Sequence, residues 1–483
     1  MSTAVAQILI DRARYFGTEY PPIPFGGSGG VVDGQVDDST GNIHWVNGSR
    51  KVAIDSTGRI YVAYTNAANA IKVRYTEDGA QTWSAEEAVD GGDRPTIAID
   101  SNDDLHLAYC DTDGEWKPYY RKRTKSTGTW GAQEEPASSA TDAGNPAIAV
   151  DGSDNVHLVW QGKGYGTQTT YQNIHYNKRT TSWGTVEAVT DINSSYSQTQ
   201  PSLSVDSTGD CHCVWYGNGT GTYPGTVDVS YAKRNGSWGS AELVTDEDYA
   251  CAGCCITLDA DDHVHVAYQK SISSTYQLFH REKTGSWQAE DELTSGGSAK
   301  LNPQIAVDLQ GDIDIVYEDT ASFTVIKRIR WTGSWGAGVT IASGASKHMG
   351  YPMLLENNNP VIGKVYAGIW MTYMYDDTGD KITRFYRSAD LNLKAITDCL
   401  WGVSQALDTI SNLVATTIKY SVRKDKSAVI ILTEVTYDSA YFIEAADWTT
   451  LVGFIETQLA TVSNLTYFDV YLDNSVTDAT PIT

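Results

Sequence analysis

The chain has 483 residues, with 60 acidic residues against 35 lysines and arginines and a formal net charge of -25; such a field repels polyanions and argues against nucleic acid or anionic membranes as partners. No apolar run is long enough to span a bilayer, so membrane insertion is not expected. The 43 glycines, 29 tyrosines and 14 tryptophans beside 8 phenylalanines suit a mainly β chain with many turns and an aromatic, polar surface.

In chain order, MSTAVAQILIDRARYF (1–16) places Val5, Ile8, Leu9 and Ala13 on one helical face, and PPIPFGGSGG follows as a linker. Residues 1–30 are therefore expected to be an amphipathic docking helix and its tether. The stretch AVAQILI lacks a basic leader and runs straight into Asp11, so it fails as a signal peptide. An extracellular location then requires another route, such as release of assembled virus particles. The phrase ILIDRAR resembles the N-terminal helices of tailed-phage structural proteins.

From residue 31 to 388 one phrase recurs: KVAIDSTGRIYVAY, RPTIAIDSNDDLHLAY, NPAIAVDGSDNVHLVW, QPSLSVDSTGDCHCVW, CCITLDADDHVHVAY and NPQIAVDLQGDIDIVY. Each reads as two strands joined by a tight turn at Asp55, Asp100, Asp151, Asp206, Asp259 or Asp308. YPMLLENNNPVIGKVY is a looser seventh copy, with Glu356 at the anchor. The anchors are 45 to 55 residues apart, the period of a four-stranded propeller blade. A third strand ending in basic residues follows each hairpin, and then a Thr or Ser before Trp83, Trp130, Trp183, Trp238, Trp287 or Trp335. The expected fold is a β-propeller of seven blades, with six as the alternative; NIHWVN (42–47) is available as a closing strand.

Within the first repeat, TEDGAQTW (76–83) resembles the Asp-box of sialidase-like propellers, which is a structural turn in that family. Membership would imply three arginines gripping a carboxylate, a Tyr nucleophile with a supporting Glu, and an acidic Asp. The arginines here mostly repeat at the third-strand end (Arg74, Arg121, Arg179, Arg234, Arg281, Arg328), as scaffolding would; Arg50, Arg94 and Arg387 stand outside that pattern. No enzyme is therefore expected, and no cofactor. His106, His157, His212 and His265 share one repeat position and read as packing, and the anchor Asp residues read as turn caps. Cys211 and Cys213 stand at core positions. Cys251, Cys254 and Cys255 with His212 have zinc-ligand types, a local disulfide being an alternative, and acidic turns such as DSNDD and DADDH have calcium-ligand types.

Function is expected where the copies differ. The connections at 111–118, 161–173, 191–200 and 216–226 are long and rich in Gly, Ser, Thr, Asn and Tyr. Trp116, Tyr165, Tyr171, Tyr196, Tyr216 and Tyr223 can stack on sugar rings, with Arg94 as a polar contact. After Arg387, the residues Leu393, Ile396, Leu400, Val403, Leu407, Ile410, Val414 and Thr417 form a heptad seam across a helix at 389–418, with a d-position pattern that favours three or more strands. Residues 419–483 read as a small α+β domain. These parts together resemble a virion appendage of a tailed phage. That resemblance implies a host-recognition protein, in the virion or extracellular, homo-oligomeric as a trimer or higher. It would present carbohydrate-binding loops to a host-surface glycan and join other virion proteins through the N-terminal helix or the C-terminal region. The alternatives are a sialidase-like glycoside hydrolase and an architectural decoration protein without ligand.

Overall fold

The computed structural model describes residues 50–343 with only short breaks, together with strands at 6–11, 32–37, 348–354, 370–377, 380–387, 413–422, 427–437, 467–473 and 480–481; among these residues there is no helix. The recurrent phrase becomes a recurrent sheet. In the second repeat, Asp93–Ile99, Leu105–Cys110, Pro118–Thr124 and Thr129–Trp130 pair antiparallel in chain order. Five of the six repeat sheets have four strands each, and the sheet opening at Gln198–Val205 adds a short strand, Glu242–Leu243, beside its third.

The first strands of the successive repeats are Val52–Ile54, Asp93–Ile99, Thr141–Val150, Gln198–Val205, Cys251–Leu258 and Lys300–Val307, and each touches the first strand of the next repeat. Their second strands, such as Val156–Lys163, are buried on both faces except at the end, because apolar clusters lie between consecutive sheets. One cluster joins Val159, Ile174 and Tyr176 of the third sheet to Leu203, Cys213 and Trp215 of the fourth. Another joins Val214, Val229 and Tyr231 of the fourth to Cys254, Ile256 and Val266 of the fifth. A sheet that buries both faces against like neighbours is compatible with a β-propeller.

Arg50, at the mouth of the first of these strands, reaches two distant repeats. Its Nη2 donates to Ile256 O at 2.8 Å and its Nη1 to Ile305 O at 3.1 Å. The guanidinium thus pins the first, fifth and sixth sheets where their inner strands converge, a structural role for one of the arginines that stood outside the repeat.

A further four-stranded sheet pairs His348–Leu354, Trp370–Asp377 and Asp380–Arg387 with Val32–Asp37 from the N-terminal side, Val32 lying opposite Arg387. A closing strand from the N-terminus was expected at 42–47. The strand found lies about one strand length earlier, and 42–47 fall outside the described residues.

Two helix expectations are corrected. Ala6–Asp11 is a strand paired with Leu413–Val422, Ala6 opposite Val422 and Asp11 opposite Thr417, so the N-terminal helix is not found there. The same pairing turns the last part of the heptad seam, Val414 and Thr417, into strand. Periodicity alone cannot separate a short apolar run from a helical stripe, and the consecutive Ile8, Leu9 and Ile10 and the β-branched Val414, Thr416, Thr417 and Ile418 favour the pleated conformation. The sheet continues through Ser427–Tyr437, Tyr467–Asp473 and Thr480–Pro481. The 427–437 and 467–473 strands run parallel, which requires a crossover through 438–466. That crossover, including the helix-like DWTTLVGFIETQLATV, and 389–412 of the heptad helix lie outside the described residues.

Candidate functional site

Each repeat has two ends with different chemistry. At the turn end, the anchor carboxylate caps its own hairpin. Asp100 Oδ1 accepts the amides of Asn102 and Asp104 at 2.9 Å, and Asp151, Asp206 and Asp259 repeat the pattern. The other carboxylate oxygen accepts Nε2 of His106, His157 or His212 at 3.0 Å and the ammonium of Lys122, Lys178 or Lys233. With Nε2 donating, Nδ1 is left to accept from the hydroxyl of Tyr120, Tyr176 or Tyr231.

Burial alone would raise Asp100, Asp151 and Asp206, yet the hydrogen bonds from His, Lys and backbone amides hold all three well below the ordinary carboxylate range. Burial pushes the paired histidines below their ordinary value. Neighbouring repeats are tied at this level too. Arg179 forks onto Glu134 and Arg234 onto Glu187, while Trp183 and Trp238 pack edge-on against Tyr120 and Tyr176 of the preceding sheet at 5.3 Å. The repeated arginines, histidines and tryptophans are thus scaffold.

The fifth repeat departs from this pattern. Glu282 takes the register position held by Lys122, Lys178 and Lys233, and His280 takes that of the tyrosines. Ligand atoms of Asp259, Asp261 and His263 lie within 4.8 Å of one another, the described group best suited to a cation. The zinc candidates are not brought together: His212 is held by Asp206 and Tyr231, Cys254 and Cys255 belong to separate apolar clusters, and the six described cysteines are free and buried.

At the loop end, the first strands of the second to sixth repeats open with a bulge. The register slips between Asp93 and Thr96, Gly144 and Ala147, Thr199 and Ser202, Ala252 and Cys255, and Leu301 and Gln304. The bulge residues Arg94, Asn145, Gln200, Gly253 and Asn302 all have positive φ, between 48° and 58°, and in four of the five a proline follows, which needs no ladder donor. The backbone repeats, but the side chains do not. Asn145 Nδ2 donates to Gln161 Oε1 at 2.6 Å, the Gln200 amide donates to the same oxygen at 2.8 Å, and Asn302 Nδ2 donates to Glu318 Oε1 at 2.6 Å. The Asn145 and Asn302 heads are thus held within their own repeats, and the Gln200 backbone amide ties the fourth repeat to the third.

Arg94 is different. Its guanidinium carbon lies 5.1 Å from the centre of the Trp116 ring, and among the described residues its ion-pair partner is Asp93, at 3.8 Å. Among the described residues the guanidinium has no hydrogen-bond acceptor, and Nε is buried without one. Trp116 is itself fixed, its carbonyl accepting the Ala143 amide at 2.7 Å. A Cβ on Gly144 would stand 2.7 Å from Arg94 Nη1, so the missing side chain makes the room in which the guanidinium lies.

Directly beneath, Lys51 is fully buried and donates to Pro95 O at 2.7 Å. Burial brings its ammonium down to about 7, Asp93 opposing the shift and Arg94 adding to it. The loop end therefore holds a stacked cation with free donors above a buried amine that titrates near neutrality.

The other candidates sort by packing. Tyr165 is half-buried, its hydroxyl accepting the Ser139 amide and its ring edge-on to His175. Tyr216 packs against the core between the fourth and fifth sheets, and burial raises its hydroxyl well above the ordinary value. Tyr171 is half-buried in the connection after Val156–Lys163. Tyr223 is 44% exposed, and Tyr249, which sequence reasoning did not select, is 48% exposed on the next connection of the same end. Tyr196 lies outside the described residues. Topology thus gathers the described candidates at one end of the sheets, while only Arg94 and Trp116 touch.

No family model matches the chain, and no curated protein does. Solved structures share its fold. A polysaccharide lyase described as a PL25 ulvan lyase matches at 13% identity over 74% of this chain and 96% of its own, with a TM-score of 0.54. The same lyase bound to -[GlcA(1-4)Rha3S]- matches at 12% identity with the same coverage and score. The BP39L lectin from Burkholderia pseudomallei matches at 10% identity over 71% of this chain and 97% of its own, with a TM-score of 0.50. The expectation of a non-enzyme is corrected by this finding: it rested on the missing sialidase arginines, and the fold neighbours include a polysaccharide lyase.

Proposed function

We propose that the chain is a seven-bladed β-propeller, closed by Val32–Asp37, that binds and acts on a carbohydrate at the loop end of its sheets. The sugar carries a carboxylate or sulfate engaged by Arg94, with Trp116 as the stacking face. One observation carries the reading: the Arg94 guanidinium is stacked on an aromatic ring and lacks an acceptor among the described residues, in a fold that carbohydrate-active proteins use. A planar guanidinium matches a carboxylate or sulfate through paired hydrogen bonds, and an indole face suits an apolar sugar face. In elimination from a uronic-acid chain, a cation on the carboxylate stabilises the charge that develops as the adjacent proton leaves; Arg94 is placed to supply it. The net charge of -25 slows the approach of such a substrate but is screened beyond about 8 Å at physiological salt, so contact at Arg94 decides the affinity.

The test is calorimetric titration of the full chain with uronate-bearing and neutral oligosaccharides, alongside absorbance of unsaturated uronate product. Wild type is expected to bind and cleave the acidic sugar. Arg94→Ala should weaken binding by about 1.5–3 kcal/mol, the worth of charge-assisted hydrogen bonds, and Trp116→Ala by about 1–2 kcal/mol. Equal binding by wild type and both variants would sink the proposal.

A further inference from the structure

Two repeats build the same loop brace and differ in one atom type. In the third, the connection after Val156–Lys163 is held by Asp191, whose carboxylate accepts the amide and hydroxyl of Thr167. In the fourth, Asp246 accepts the amide and hydroxyl of Thr222. Beneath each brace a threonine hydroxyl donates inward, Thr190 Oγ1 to Asn173 Oδ1 at 2.9 Å and Thr245 Oγ1 to Asp228 Oδ1 at 3.0 Å. Asn173 Nδ2 lies 3.4 Å from Ile192 O and 3.5 Å from Tyr171 O, using its amide protons. The fourth repeat has a carboxyl oxygen instead.

That oxygen, Asp228 Oδ2, belongs to a side chain with no exposed surface and has no partner. It sits under Gly221, where a Cβ would be 2.7 Å from both Asp228 Oδ2 and Asp246 Oδ1. The groups around it mostly oppose a negative charge. The carboxylates of Asp246 and Glu247 come from the following connection and oppose it, while the Glu247 backbone amide donates to the Asp228 carboxyl; the Glu247 side chain is tied at 3.0 Å to Lys270 of the fifth sheet. The buried Cys251 thiol also faces it, and Lys270 is committed to Glu247 and Glu290.

We propose that Asp228 is a proton-dependent latch: as a neutral carboxylic acid it stands in for the amide of Asn173 and holds the connection that presents Tyr223, and on losing its proton it loosens that connection. Burial raises Asp228 above its ordinary value, Asp246 adding to the rise while the Thr245 hydrogen bond offsets part of it. The sign follows: the latch is fully present below the ordinary carboxyl value of 3.8 and is lost as pH rises through the raised folded value. The inference concerns the connection itself and stands whether or not the sugar reading holds.

The experiment is amide hydrogen exchange of the full chain, expressed as protection factors for Thr222 and Thr226, at a series of pH values from 3.5 to neutrality. In wild type the protection should fall with rising pH, by up to about tenfold per pH unit inside the window. Asp228→Asn should remove that dependence and keep the connection protected. Asn173→Asp should transplant the dependence to Thr167, which keeps the test informative even if the first variant is poorly folded. A flat wild-type profile, or the same slope in D228N, overturns the latch. So does protection at neutral pH that is restored by calcium and removed by chelator, since a cation would then be the partner of Asp228.

Discussion

The turn end and the loop end of the sheets are made by the same strands and obey opposite rules. At the turn end, three consecutive repeats place Asp, His, Lys and Tyr in one hydrogen-bonded cluster with nearly the same distances. At the loop end, the bulge backbone repeats while its side chain changes from Arg to Asn, Gln, Gly and Asn. Identical chemistry around a ring satisfies each blade locally; a recognition site needs one place that differs. Arg94 is such a place, because Asn145 and Asn302 spend their side-chain amides on Gln161 and Glu318 of their own repeats, whereas the Arg94 guanidinium has no acceptor among the described residues.

The sharpest way to break this contrast is to remove one anchor. Asp206→Ala strips the carboxylate from His212, Lys233 and two backbone amides, and leaving these buried groups unpaired should cost about 3–5 kcal/mol in denaturant unfolding. Sugar binding by the surviving folded fraction should be unchanged. Because Asp100, Asp151 and Asp206 are held below the ordinary range, their stabilisation is present above pH 3.8 and lost as the pH falls through their folded values.

Lys51→Met tests the floor of the loop end. The native state disfavours the Lys51 ammonium, so wild-type stability should rise between pH 7 and 10.5. The variant should lack that rise and gain on the order of 1–3 kcal/mol below pH 7. Unfolding curves at several pH values check both. The smallest expected effect on stability comes from Gly144→Ala, whose methyl group meets the movable Arg94 head. Unfolding should shift by about 1 kcal/mol or less, while affinity for an acidic oligosaccharide drops about tenfold as the guanidinium leaves Trp116.

Much of the turn end was legible in the sequence. A carboxylate two residues before small polar residues predicts the amide caps found at Asp100 and Asp151, and the repetition of Arg179 and Arg234 marked them as scaffold. The loop end was legible residue by residue but not as pairs. Arg94 and Trp116 were both candidates, yet 22 residues separate them, and only the bulge at Asp93 and the bond from Ala143 bring them together. Lys51 gave no local signal and Arg50 only its place outside the repeat, because their partners at Pro95, Ile256 and Ile305 exist only once distant repeats meet. Asp228 was concealed by its conservative difference from Asn173, visible only when the two braces are superposed by register. Ala6–Asp11 misled because six residues cannot show whether their period is two or 3.6.

Hydroxyl-radical footprinting of the full chain, with and without a uronate-bearing oligosaccharide, asks most directly whether the two ends divide scaffold from recognition. The account predicts that the sugar protects Trp116 and leaves Trp130, Trp183 and Trp238 at their unliganded reactivity. Protection of those tryptophans at the turn end, with Trp116 unchanged, would contradict it.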